Sequence, residues 1–174
     1  QALVRQGAEQ GQVTAVFGSP GAGEKLATRI GQQVKTKIAE IAAIAPKGDA
    51  DKIRIMFLYL RGQAGIYYLF GEGSGADDLI DGIDGIDVAK EIGWDGMKPM
   101  TDEAIIAAKP DLSLVMTDGL KSAGGVDGLL QTKPAIGLTP AGQHRRFVDM
   151  ADGDIISFGP RSADILDALA RAIY

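Results

Sequence analysis

The chain of 174 residues contains no cysteine and one histidine, His144. Without cysteine there is no disulfide, thiolate metal site or cysteine nucleophile, and the compartment is left open. One histidine excludes a multi-histidine metal site. A Ser-His-Asp triad lacks its usual frame as well, because Gly73-Ser74-Gly75 does not have the flanking spacing of a nucleophile elbow. Lys and Arg number 18 against 23 Asp and Glu, with Arg145-Arg146 the main basic pair, so no nucleic-acid footprint is present. No apolar run approaches the about 20 residues that span a bilayer, and no stretch reads as a signal peptide or lipidation signal. The chain opens on Gln1 rather than Met, as expected of a processed or truncated product. What remains, 45% hydrophobic and 24% charged residues, is the balance of one globular domain able to bury a core.

The order of elements is legible. Residues 1–10 read as a short helical piece, and Gly18-Ser19-Pro20-Gly21-Ala22-Gly23 reads as a breaker. Over 24–44, Leu26, Ile30, Val34, Ile38 and Ile41 recur at spacings of three and four, which predicts a long amphipathic helix. The nearly unbroken apolar run 53–60 predicts a buried parallel strand, and 66–70 a second short one. A helix is expected to open at Ser74 as N-cap, with Asp77 and Asp78 in its first turn, and to stop near Gly82. Further helices are expected over 101–108, within 126–130 and over 162–173, and strands over 112–116 and 146–150. This alternation implies an α/β fold: a three-layer lobe with a mainly parallel central sheet, preceded by a long connecting helix. Ligands in such sheets sit beyond the carboxyl ends of the strands, where Tyr59, Arg61, Met116 and Thr117 fall.

Tyr59-Leu60-Arg61 carries the most chemistry. Residues i and i+2 of a strand share a face, so a guanidinium stands beside a phenol and favours its ionised form. A phenolate is a plausible ligand for ferric iron. The bland alternative is a strand tyrosine and a solvated terminal arginine. Gly71-Glu72-Gly73-Ser74-Gly75-Ala76 fits a permissive dinucleotide-binding fingerprint, but 83–91 is not a convincing second strand. The alternatives are a tight turn, or a helix N-terminus that faces an anionic group. His144 lies in a polar loop and is expected to be solvated. Met97, Met100 and Trp94 could line a cleft or belong to the core. Tyr67 and Tyr68 alternate, so only one can face the same side as Tyr59.

Phe57-Leu58-Tyr59-Leu60-Arg61-Gly62, the stretch from Gly71 through Asp77-Asp78-Leu79-Ile80, Pro99-Met100-Thr101-Asp102-Glu103-Ala104, Pro110-Asp111-Leu112-Ser113-Leu114-Val115-Met116-Thr117 and Phe158-Gly159-Pro160-Arg161 together resemble the haem-binding substrate-binding proteins of bacterial ABC haemin importers, the HmuT-like group of class III periplasmic binding proteins. The resemblance covers nearly the whole chain but only the second half of a full member. It implies that 1–48 contains the helix joining two lobes and that 49–174 is the C-terminal lobe. It further implies that Tyr59 ligates the iron of haem (ferric protoporphyrin IX), that Arg61 supports it and that Met116 lies close to the haem; beside that, the glycine-rich turn holding Gly73 and Ser74 is expected to let backbone approach the macrocycle or its carboxylates. The histidine ligand of the group comes from the other lobe, and His144 does not match it. Implied partners are haem, an ABC transporter permease and haem-donor surface proteins, with no nucleic acid; the place is extracytoplasmic, either as a cell-surface lipoprotein or in the periplasm. The implied function is capture and delivery of haemin for iron uptake, without enzymatic activity. The isolated lobe is expected to self-associate through its uncovered cleft face. Siderophore or cobalamin binding on the same fold, a nucleotide-dependent enzyme built on 71–76, and a ligand-free interaction lobe are the alternatives.

Overall fold

Arg54–Arg61 forms strand β1, and five of its residues, Ile55, Met56, Phe57, Leu58 and Leu60, are buried. A strand that is apolar on both sides needs cover on both. The structure, a computed structural model, describes residues 22–48, 51–156 and 161–174. The helical piece expected at 1–10 and most of the Phe-Gly-Pro-Arg motif lie outside the described residues. So do 18–21, whereas Ala22 and Gly23 already belong to the first described helix.

That helix, α1 (Ala22–Ile44), precedes β1. A 3-10 turn (Gly62–Ala64) leads into β2 (Ile66–Phe70). Then follow α2 (Ala76–Gly82), β3 (Ile86–Asp87), α3 (Val88–Glu91), β4 (Met97–Pro99), α4 (Asp102–Ala108) and β5 (Leu112–Met116). The chain continues through α5 (Thr117–Ser122), α6 (Gly125–Thr132), α7 (Pro134–Gly137), α8 (Pro140–Gln143), β6 (Phe147–Met150), α9 (Asp152–Ile156) and α10 (Ser162–Ile173). The sheet order is β4-β2-β1-β5-β6, with β3 beside the first residues of β1. Strands β3, β5 and β6 run parallel to β1, whereas β2 folds back antiparallel and β4 pairs antiparallel with it. The sheet is therefore mixed, with β2 the one reversed strand among those described.

Two apolar layers cover it. On one face Ile55, Phe57, Leu112, Leu114 and Met116 pack with Ile30, Val34 and Ile41 of α1, Leu79 and Ile80 of α2, and Leu166 and Leu169 of α10. Each such side chain, fully buried, contributes about 1.5–3 kcal/mol. The Lys37 ammonium adds a link from α1 to Asp167 of α10 at 3.1 Å. On the other face Met56, Leu58, Leu60 and Val115 meet Val88, Ala89, Ile105, Leu129 and Ile136. The three-layer lobe and its leading helix match the expectation.

Local signals succeed where they are strong. Thr101 caps α4 by accepting from Ala104 N. At α2, however, the N-cap is Gly75 at φ 89°, with no side-chain cap, rather than Ser74. The weak stretch 83–91 contains a two-residue strand and a single turn of helix. The edge strand β4 lacks any apolar run: Met97 is exposed, whereas Met100 just beyond it is buried.

Two close approaches fix the end of β1. The Gly62 N–H donates to Ser122 Oγ at 2.8 Å, and a Cβ at Gly62 would stand 2.4 Å from Ala123 Cα. A Cβ at Gly119 would lie 2.8 Å from the Leu60 carbonyl oxygen. Gly62→Ala is expected to cost about 1–3 kcal/mol by overpacking, read from the urea midpoint; an unchanged midpoint would show that α5 yields freely.

Asp87 caps α3, accepting from Ala89 N at 2.9 Å, while its other oxygen is buried with no partner. Burial pushes its carboxyl up from 3.8 to about 6, reinforced by Asp77 and Asp81 and opposed by the Ala89 and Lys90 N–H groups. The folded chain thus holds this proton more tightly than the unfolded one. The stabilisation this supplies is complete below the ordinary value of 3.8 and is lost as pH rises through about 6. Asp87→Asn, which keeps a capping oxygen without the charge, should therefore stabilise the chain at pH 8 by about 2 kcal/mol more than at pH 4. Equal effects at the two pH values, measured by urea unfolding, would contradict the assignment.

Candidate functional site

Side-chain alternation along β1 sends Phe57, Tyr59 and Arg61 to the α1/α10 face and Leu58 and Leu60 to the other. Register then builds a row. Tyr59 pairs with Tyr68 of β2; Leu58 pairs with Val115, which brings Tyr59 level with Met116 of β5; and Met116 pairs with Met150 of β6. Tyr68, Tyr59, Met116 and Met150 thus cross four strands on one face, at the carboxyl ends of the parallel strands. Tyr68 is the member of the tyrosine pair that shares a face with Tyr59. Tyr67 points to the other side, where the Lys133 ammonium lies 4.8 Å from its ring centroid.

Tyr59 is half-buried, and its ring is held on two sides. Phe70 approaches edge-on with centroids 6.1 Å apart, itself stacked on Phe57 at 4.6 Å. The Arg61 guanidinium carbon lies 4.8 Å from the Tyr59 centroid, over the ring face, a cation–π contact of about 0.5–1 kcal/mol where partly exposed. Arg61 also reaches Asp152 Oδ2 at 3.5 Å through Nη1, which contacts the Leu60 carbonyl as well. Arginine and tyrosine are therefore neighbours, as expected, but the charge faces the ring rather than the phenol oxygen. No hydrogen bond from a described residue reaches that oxygen. The site thus offers a phenol whose oxygen takes no hydrogen bond from a described residue, a ring held on two sides and an adjacent cation.

The other expected site residues are placed differently. Met116 is 1% exposed and lies within the core, beneath the row's surface; its register partner Met150 is only partly buried. Gly73 and Ser74 belong to a loop that satisfies its own polar groups. Asp77 accepts from Gly73 N and Gly75 N, both at 3.0 Å, and Ser74 Oγ donates to the Gly71 carbonyl at 2.6 Å. Asp77 thus occupies the place an anionic ligand would take, which removes the basis for a phosphate cradle. The structure does not join this loop to Tyr59 and Arg61 by any hydrogen bond or ring contact among the described residues. His144 is exposed at the end of α8, and Trp94 packs against the second core layer.

Sequence reasoning missed Asp152 and Asp149. Asp152 accepts from Asp118 N at 3.2 Å as well as meeting Arg61, and Asp149 accepts from Thr117 Oγ1 at 2.7 Å. Their one visible signal was position: Asp149 lies within β6 and Asp152 just past its end. No cluster of three or more His, Asp or Glu suited to a metal ion occurs among the described residues. Two concavities run along α1. One, of about 330 Å³, is lined by residues that include Gln33, Lys37 and Asp164; the other, of about 580 Å³, by Glu24, Thr28 and Arg29 among others. Tyr59 and Arg61 line neither.

The periplasmic heme-binding protein RhuT from Roseiflexus sp. RS-1, in apo form, is 36% identical with a TM-score of 0.79, covering 93% of this chain and 59% of that one. The heme-binding protein HmuT is 33% identical with a TM-score of 0.89, covering 98% of this chain and 54% of its own. The heme-binding protein BhuT, solved with two hemes, is 30% identical with a TM-score of 0.82, covering 96% of this chain and 60% of that one. The chain thus spans between half and two thirds of these relatives. Solved HmuT variants replace by alanine a tyrosine and an arginine two positions beyond it, the spacing of Tyr59 and Arg61. No curated protein matches the sequence significantly. The model of the periplasmic binding protein family matches residues 11–152. With the mixed three-layer sheet and the leading helix α1, this match places the chain in the periplasmic binding protein family.

Proposed function

We propose that this chain binds ferric haem through the Tyr59 phenolate and belongs to a protein that captures haemin outside the cytoplasm and delivers it to an ABC importer, without enzymatic activity. The observation that carries the proposal is the Tyr59 side chain, whose ring is clamped between Phe70 and Arg61 and whose oxygen takes no described hydrogen bond. The heme-binding names of the relatives and the matching tyrosine-arginine spacing support it. Helix α1 is the connector between lobes in this reading, and 49–174 is the C-terminal lobe.

The chemistry follows from the residue types. A phenolate is a hard anionic donor that favours ferric iron, as tyrosine does in catalase. The Arg61 guanidinium, at the same strand end, is the donor type that suits a propionate. Tyr68, on the same face, offers a flat surface beside the iron ligand, and Met150 a soft one. Met116 serves from beneath by fixing the row, and the loop holding Gly73 and Ser74 is a secondary contact at most. One lobe supplies one wall, so the sixth iron position is open to water, a neighbouring side chain or a second chain. Permease docking and any lipid anchor belong to the full-length protein.

Haemin titrated into the purified chain should give a ferric complex with a tyrosinate charge-transfer band. Tyr59→Phe should abolish that band and weaken binding by about tenfold or more, with the fold unchanged by circular dichroism. Haemin affinity equal to that of the wild type would exclude Tyr59 as the ligand. Arg61→Gln should weaken binding by roughly three- to tenfold through the lost charge-assisted contact; an unchanged constant in isothermal titration would exclude it.

A further inference from the structure

We propose that Asp152 is an internal competitor for Arg61, which holds the guanidinium in a self-paired state that a ligand carboxylate must displace. This inference rests on the haem reading and names a control of that same site. Asp152 Oδ2 lies 3.5 Å from Arg61 Nη1, a loose ion pair rather than a bidentate clamp. The Asp152 carboxylate is less exposed than its partner, at 23% against 40%, and its other oxygen accepts from Asp118 N. The acid is therefore anchored from the α5 side, while the arginine is the long, adaptable member. The same guanidinium lies over the Tyr59 ring. One cation is thus shared between a fixed carboxylate and a fixed ring, at the strand ends where a ligand would arrive.

The consequence is specificity by exchange. Without ligand, Asp152 neutralises Arg61 and keeps it over the ring. A ligand bearing carboxylates can take the guanidinium by replacing one partner of like charge with another. A neutral ligand offers no replacement and leaves the pair intact. The exchange releases Asp152 as an uncompensated carboxylate, which opposes binding of an acid by part of the energy of the original pair. A partly exposed pair of this length supports an effect of about three- to tenfold.

The test uses haemin and its dimethyl ester, in which both propionates are blocked, titrated into the wild-type chain, Asp152→Asn, Asp152→Glu, Arg61→Gln and the double variant Arg61→Gln/Asp152→Asn. Asp152→Asn should tighten haemin about three- to tenfold and leave the ester unchanged; Asp152→Glu should restore the wild-type constant. In the Arg61→Gln background the Asn substitution should have no effect. Haemin binding that is unchanged or weakened by Asp152→Asn, or equal shifts for acid and ester, would overturn the competitor role while leaving the haem reading standing. A wild-type chain that binds neither compound would overturn the haem reading, and this inference with it. Urea unfolding of the ligand-free variants separates a loss of folding from a change in the site.

Discussion

Strand β1 is buried on both faces, and the rest of the structure depends on how its alternation is covered. Ile55 and Phe57 require α1, α2 and α10, whereas Met56, Leu58 and Leu60 require the layer built from α3 to α7. Removal of either layer would expose a continuous apolar strip along a central strand. Tyr59 and Arg61 continue the first face beyond the point where the helices give full cover. Their exposure at the strand ends follows from the same alternation that buries Phe57.

Register converts this into a site. Parallel pairing with β5 and β6 brings Met116 and Met150 level with Tyr59, and the reversed strand β2 brings Tyr68 and Phe70 from the opposite side. Phe70 connects core to site, stacking on Phe57 and meeting Tyr59 edge-on. Arg61 closes the ring's open face and reaches Asp152, so β1, β2 and α9 together hold one tyrosine in place. The glycines at 62 and 119 let α5 approach the end of β1 closely enough for Asp118 to anchor Asp152.

Much of this was legible because it depends on local periodicity. Ile30, Val34 and Ile41 mark the buried stripe of α1, and 112–116 and 162–173 are strand and helix as expected. The tyrosine-arginine pair stood out for the same reason: i and i+2 must share a face. What escaped depends on tertiary partners. The reversal of β2 is set by a short turn, the three-residue β4 exists by pairing with β2, and Asp77 reaches back to the N–H groups of Gly73 and Gly75. Met116 occupies its expected strand end but is buried, because position along a strand does not report depth. Asp152 is separated from Arg61 by 91 residues, and no spacing rule connects them.

The family assignment rests on the whole chain, whereas the ligand rests on one oxygen atom. Resonance Raman spectroscopy of the haemin complex, excited in the charge-transfer band and repeated on protein carrying ring-deuterated tyrosine, tests that atom most directly. The account predicts phenolate modes that shift with the label and vanish in Tyr59→Phe. A haemin complex without label-sensitive phenolate modes, or with modes that survive in Tyr59→Phe, would contradict it.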